Sequence, residues 1–189
     1  MNISIRQHGW IVWGQIAIDH EREARKARRS DPVYEHLPGL VAIAGAAFAL
    51  DALYGVARGL IPVDEVDRAE DRGDEAGGKR ARHVADRLRR GVSPGKLVET
   101  WPARIRDLYK TRDEAVHYSE RDSPPVWHPA LQSNIAQQAF EYRLEAAETA
   151  IDLMLEVFEG WARHPSAPIR EWAERFGPSV DDLLNRRSS

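Results

Sequence analysis

The sequence predicts an all-α protein, an antiparallel helical bundle folded as a single domain. Apolar residues recur at three- and four-residue steps over long stretches, as they do on one face of a helix. No run of residues alternates with the period of two that is typical of strands. Proline and glycine separate the periodic stretches by short connections, which favours antiparallel neighbours. The 189 residues suffice for one domain with a core and are few for two.

Two long helices are expected near the start of the chain. The first covers residues 4–29, apolar in its front half and charged in its back half, and ends before Asp31. The second covers residues 38–59, and the run Leu37–Leu50 carries no charge before the helix reaches Asp51. A membrane-spanning helix needs about 20 apolar residues, so we expect a buried core helix and no membrane association.

The middle of the chain combines a charged insertion with two further helices. Residues 62–80 are acidic and then glycine-rich, so we expect a mobile loop or a frayed short helix inserted within the single domain of residues 1–189. A short basic helix follows over 79–90. The next helix is expected over 95–118, with a Ser-Pro pair at Ser93 providing its N-cap and its first residue.

Three helices are predicted in the last third of the chain. The longest covers 129–163, where small, aliphatic and aromatic residues form one apolar stripe. Short helices over 167–176 and 179–186, separated by a Gly-Pro pair, are expected within a C-terminal segment of residues 166–187. The helical core is therefore expected within residues 1–163.

The composition excludes several classes of function. The chain has no cysteine, which excludes disulfide scaffolds, cysteine-ligated metal sites and cysteine nucleophiles. It has no phosphate-binding glycine loop and no His-Glu-x-x-His pair, so we expect no cofactor and no metal. The formal net charge of -3 does not indicate a nucleic-acid-binding protein, although a local basic surface is compatible with it. No secretory signal is visible, so we expect a cytoplasmic protein.

One segment of the fourth predicted helix carries a pattern that points to chemistry. At about 100° per residue, Arg112 falls near the middle of an apolar sector about 100° wide. A charged guanidinium there needs an anion or an interface, because burying it unpaired costs several kcal/mol. His117 lies about 140° around the helix, and Asp113 lies one turn before it, where a carboxylate would favour the imidazolium. A histidine near a phosphate-binding arginine suits proton transfer in phosphodiester cleavage.

This pattern resembles the signature of HEPN-domain proteins, which have an Arg, four to six residues and then a His, often with Asn, Asp or His after the Arg. Arg112, Asp113 and His117 fit those positions. The long helices before and after the motif also resemble the family over residues 1–163. The resemblance implies a bundle that dimerises face to face, with both motifs in one composite cleft. It further implies a metal-independent endoribonuclease in which the ribose 2′-OH attacks the adjacent phosphate, giving a cyclic phosphate.

The resemblance also implies roles and partners. Arg112 would hold the scissile phosphate, His117 would act as general base or acid, and Asp113 would orient the histidine. The implied partners are RNA, a second copy of the chain and, if the protein is a toxin–antitoxin or defence effector, a cognate antitoxin or regulatory protein. Some family toxins carry a modified tyrosine two residues after the histidine. That position is Ser119 here, and Tyr118 adjoins the histidine instead.

Four other residues are candidates for substrate binding, and each has a structural alternative. Asp51 could act in catalysis or be the buried partner of an arginine, the motif arginine included. His128, on the loop after the motif, could line the cleft or pack within the loop. Tyr118 could stack a base or simply pack. Glu114 could be the partner of the motif histidine or a solvated helix residue.

The sequence leaves two other functions open. The chain could be a non-catalytic helical interaction module, in which Arg112 makes a structural ion pair and the motif stabilises a dimer. It could also be a bundle that binds nucleotides or another small ligand. RNA cleavage that depends on His117 would favour the enzyme over these two functions. A shift in melting temperature with nucleotides but not with RNA would favour the ligand-binding bundle.

Overall fold

Helices form most of the regular structure in this computed structural model, which describes residues 8–62, 79–116, 124–129 and 131–189. The predicted all-α class is confirmed for these residues, with one small β-hairpin added. The elements in chain order are α1 (Gly9–Ser30), α2 (His36–Leu60), α3 (Lys79–Arg90), α4 (Lys96–Val116), β1 (Val126–His128), β2 (Ser133–Ile135), α5 (Gln137–Glu141), α6 (Leu144–Arg163) and α7 (Arg170–Ser188).

Helix α2 lies at the centre of the bundle and contacts α1, α3, α4 and α6. Small residues let α1 approach it closely, since a Cβ added at Gly45 would lie 3.2 Å from the backbone of Ala17. The segment Pro32–Leu60 is the one described stretch long and apolar enough to cross a membrane, but 56% of its most apolar window is buried in the bundle. A core helix of a soluble protein has these properties, as the sequence predicted for this run.

Aromatic side chains pack α1, α6 and α7 against one another. Trp10 packs edge-on against Phe158, with ring centroids 5.1 Å apart, and Trp161 packs against Trp172 at 5.2 Å. The buried indole of Trp161 donates a hydrogen bond of 2.9 Å to the backbone oxygen of Leu88. Helices α1, α3, α6 and α7 therefore share one apolar core.

The predicted helix over 129–163 is wrong in its first part. The strands β1 and β2 form a hairpin in which Val126 pairs with Ile135 and His128 with Ser133. Gln132 takes a left-handed conformation with φ of 49° in the connecting turn. Only from Leu144 does the apolar stripe form the long helix α6. Strands of three residues are too short to show a period-two pattern, so the sequence could not separate this hairpin from the helix that follows.

Two predicted helix ends also differ from the structure. Helix α4 begins at Lys96, because the backbone N–H of Ser93 donates to His164 and does not enter the helix. The two short C-terminal helices are one continuous helix, α7, with Pro178 inside it. Buried Trp172 before the proline and Leu183 after it hold both halves against the core. Of the predicted insertion, residues 63–78 lie outside the described residues.

Two glycines of α2 are expected to respond oppositely to replacement by alanine. A Cβ at Gly39 would overlap the backbone oxygen of Tyr142, whereas a Cβ at Gly55 would meet nothing within 4 Å. Gly39→Ala should lower the free energy of unfolding by about 2–3 kcal/mol, as overpacking does. Gly55→Ala should raise it by up to about 1 kcal/mol through helix propensity. Urea unfolding followed by circular dichroism measures both, and equal effects would contradict the close approach at Gly39.

Candidate functional site

The side chain of Arg112 binds two carboxylates on the inner side of α4. Its Nη2 lies 2.8 Å from Oδ1 of Asp113, and its Nη1 lies 3.8 Å from Oδ2 of Asp51. The side chain retains 16% of its exposure. The sequence predicted that this guanidinium needs an anion, which is confirmed. Of the two alternatives for Asp51, the contacts show the arginine partner.

A second arginine, which the sequence analysis did not single out for this site, binds the same aspartate from α3. Arg80 donates from Nη2 at 3.0 Å and from Nε at 3.2 Å, both to Oδ1 of Asp51. Two guanidiniums from different helices therefore share one carboxylate, each facing a different oxygen. We call Arg80, Arg112 and Asp51 the paired-arginine site. The single acid of α2 was the available signal that a cation binds there.

Aromatic rings support both guanidiniums. The Cζ of Arg80 lies 4.6 Å from the ring centroid of Tyr54, and the Cζ of Arg112 lies 4.8 Å from that of Tyr109 and 5.8 Å from that of Phe48. Both distances to tyrosine are within the range of cation–π attraction. The rings therefore fix the two guanidiniums in place with little loss of their hydrogen-bonding capacity.

One buried donor at this site, the Nε of Arg112, has no hydrogen-bond partner among the described residues. The hydroxyl of Tyr109 is also buried and lies near Asp51. Burial raises the pKa of Tyr109 well above its usual range, and the neighbouring carboxylate of Asp51 adds to the rise. The phenol therefore stays neutral and keeps its proton to donate.

The charges at the paired-arginine site balance when Asp113 is counted. The guanidiniums of Arg80 and Arg112 face the carboxylates of Asp51 and Asp113, and Asp113 is half-exposed. Arginine presents a planar fork of donors that matches phosphate oxygens. A phosphate would therefore compete with Asp113 for the guanidinium of Arg112.

The histidine of the predicted motif cannot be placed relative to this site. His117 and Tyr118 lie outside the described residues, so their predicted roles stay predictions. Asp113, predicted to orient the histidine, instead has a defined contact with Arg112. Glu114 is exposed and lies 4.0 Å from Nζ of Lys110, as expected for a solvated helix residue.

His128 is held within a buried polar cluster, which bears out the structural alternative for this residue. Its Nε2 lies 3.1 Å from Oε1 of Glu35, and its Nδ1 accepts a 3.3 Å hydrogen bond from the N–H of Leu131. The acceptor role of Nδ1 places the proton on Nε2, facing the carboxylate. Both side chains are about 2–3% exposed. His128 lines a cavity of about 640 Å³ that Arg112 and Asp51 do not line.

Arg28 completes this buried cluster and connects it to α6. It donates to both oxygens of Glu35, from Nε at 2.5 Å and from Nη2 at 2.9 Å, and it also binds Glu145. The hydrogen bond from Arg28 lowers the pKa of Glu145 to about 2. The cluster thus joins the end of α1, the start of α2, the hairpin and the start of α6.

Another cavity lies away from the paired-arginine site. A cavity of about 670 Å³ between α4, α5 and α6 has an apolar floor that includes Leu108 and Phe140 and a charged rim that includes Arg104 and Glu114. Neither Arg112 nor Asp51 lines it. In the part of the chain that the structure describes, no three histidines or acidic residues are grouped to bind a metal ion.

Comparisons of the chain with family models, with curated proteins and with solved structures find no match. The function is therefore inferred from the residues of the chain and their contacts.

Proposed function

We propose that the protein is a metal-independent endoribonuclease of the HEPN type, with a composite active site across a homodimer. The observation that carries the proposal is the placement of Arg112. This residue is anchored on α4 by two carboxylates and an aromatic ring, five positions before His117 in sequence. A pre-positioned guanidinium is the group needed to stabilise charge on a phosphate during cleavage.

In the proposed reaction the enzyme accepts one proton from the RNA and donates one proton to it. His117 of one copy removes the proton of the ribose 2′-OH, whose oxygen attacks the adjacent phosphorus. The bond from phosphorus to the 5′ oxygen breaks, and the second histidine of the dimer donates a proton to that leaving oxygen. Arg112 binds the non-bridging oxygens as negative charge builds on them. The products are a 2′,3′-cyclic phosphate and a free 5′-OH.

Asp113 has a second role in this proposal beside the one that the family signature implies. Because it binds Nη2 of Arg112 at 2.8 Å, it positions the guanidinium. An orienting contact from Asp113 to His117 remains part of the proposal. A role as a toxin or defence effector controlled by a cognate antitoxin is a proposal that follows from the same resemblance, and a cytoplasmic location is proposed with it.

A second candidate function is a non-catalytic helical interaction module. The observation that favours it is the pairing of Arg112, whose guanidinium already binds Asp51 and Asp113 without any ligand. In that case the ion pairs stabilise the bundle, and RNA would be neither cut nor bound at physiological salt.

Cleavage of end-labelled RNA in excess EDTA tests the proposal. The parent should produce cyclic-phosphate and 5′-OH ends. His117→Ala should lower the cleavage rate by at least about 100-fold, since general acid–base catalysis contributes at least that factor. His164→Ala is the matched control, because His164 is exposed at the end of α6. Circular dichroism and sedimentation should show all three proteins folded and in the same oligomeric state. Equal cleavage by His117→Ala would reject the proposal.

A further inference from the structure

The geometry points to Arg80 as a second phosphate-binding residue, which acts with Arg112 on the backbone of a single RNA strand. The choice of RNA as the ligand rests on the proposed function, whereas the anion-binding property rests on the contacts of the paired-arginine site. Arg112 and Asp113 of the family signature lie on α4, whereas Arg80 lies outside the signature, on α3.

Asp51 leaves part of each guanidinium available. Arg80 uses Nε and Nη2 on one carboxylate oxygen, and Arg112 reaches the other oxygen from Nη1 at 3.8 Å, a distance too long for a hydrogen bond. Each guanidinium carries five N–H donors, and a phosphate accepts several of them at once. Asp51 therefore aligns the guanidiniums of Arg80 and Arg112, and each keeps N–H donors that can bind phosphate oxygens.

A third arginine adds positive charge beside the site. Arg58 is exposed and lies 6.0 Å from the same Tyr54 ring that Arg80 covers. An anion that approaches from solvent therefore meets Arg58 as well as Arg80.

Arg80 is more exposed than Arg112, so the two residues can contact different parts of one RNA strand. The Arg80 side chain is 47% exposed and that of Arg112 is 16% exposed. Arg80 can therefore contact a phosphate at the surface while Arg112 contacts one held more deeply. A strand that crosses the site would place neighbouring phosphates on the two residues, which fixes its direction and register before cleavage.

Binding of a non-cleavable RNA separates this role from catalysis. The probe is a fluorescein-labelled oligonucleotide with 2′-O-methyl groups throughout, and its Kd is measured by anisotropy over a series of salt concentrations. Arg80→Ala should weaken binding about tenfold and lower the slope of log Kd against log salt by about 1, as loss of one phosphate contact does. Arg80→Gln keeps most of the side-chain stem but loses the charge, so it should weaken binding and lower the salt slope as Arg80→Ala does.

Arg82→Ala is the matched control. It removes the same charge two residues along α3, where Arg82 is 74% exposed and lies 3.7 Å from Asp86. Its Kd should stay within about twofold of the parent, because a surface charge outside the contact contributes little. Thermal melting of each variant confirms that the bundle is intact.

Each outcome bears on the inference. Equal Kd values for Arg80→Ala and Arg82→Ala, or a parent that binds no oligonucleotide, would overturn it. A parent that binds through Arg80 but does not cut ordinary RNA would support the inference and reject the ribonuclease. A parent that cuts RNA while Arg80→Ala binds the oligonucleotide normally would support the ribonuclease and reject the inference.

Discussion

Arg112→Ala is expected to lower RNA cleavage by about 100- to 1,000-fold, the usual loss when one donor to a developing negative charge is removed. The same change should lower the free energy of unfolding by only about 1–2 kcal/mol, because the guanidinium is paired near the surface. Arg112→Lys keeps the charge but loses the planar fork, so it should restore stability better than activity. Cleavage assays and urea unfolding of the same preparations measure the two effects.

The matched control for this prediction is Arg106→Ala, an exposed residue of the same helix. It should change neither cleavage nor stability appreciably. If Arg112→Ala instead loses several kcal/mol of stability and the parent cuts no RNA, Arg112 is a structural residue of an interaction module.

Glu35→Ala is expected to cause the largest loss of stability, about 3–5 kcal/mol, as when one partner is removed from a buried ion pair. Glu35 is about 2% exposed and accepts hydrogen bonds from Arg28 and His128. Without it, Nε2 of His128 becomes a buried donor without an acceptor, and Arg28 retains only Glu145. Denaturant unfolding at neutral pH measures the loss.

Glu23→Ala provides the comparison for Glu35→Ala. Glu23 pairs with Lys26 on the surface of α1, where both side chains are more than half exposed, and its removal should cost less than about 0.5 kcal/mol. If the two variants lose the same stability, the buried cluster does not hold the hairpin and α6 to the start of α2 as the structure indicates.

The helices that the sequence predicted well are those whose ends coincide with proline, glycine or a change in charge. The predicted helix over 79–90 has the bounds Lys79–Arg90 in the structure, and that over 38–59 lies within one or two residues of His36–Leu60. The β-hairpin depends on the contact of His128 with Glu35, 93 residues earlier. Such long-range packing leaves no periodic signal in the sequence.

The candidate site was predictable in part. The position of Arg112 in an apolar sector indicated that it needs an anion, and Asp51 was identified as an arginine partner. Arg80 was not assigned to the site, because the docking of α3 on α2 depends on tertiary packing that a local pattern does not describe. The contact of Asp113 with Arg112 was also missed, since a helical wheel shows faces but not how an arginine side chain bends back toward its neighbour.

The close packing of α1 against α2 has a consequence for the order of folding. The two helices are joined by five residues, Asp31–Glu35, and the ion pair between Arg28 and Glu35 spans only seven positions. Contacts so close in sequence close small loops, which cost little entropy and form quickly. The pairing of Asp51 with Arg112 must close a loop of about 60 residues, at a higher entropic cost. We therefore expect the α1–α2 hairpin to form before the two arginines meet at Asp51.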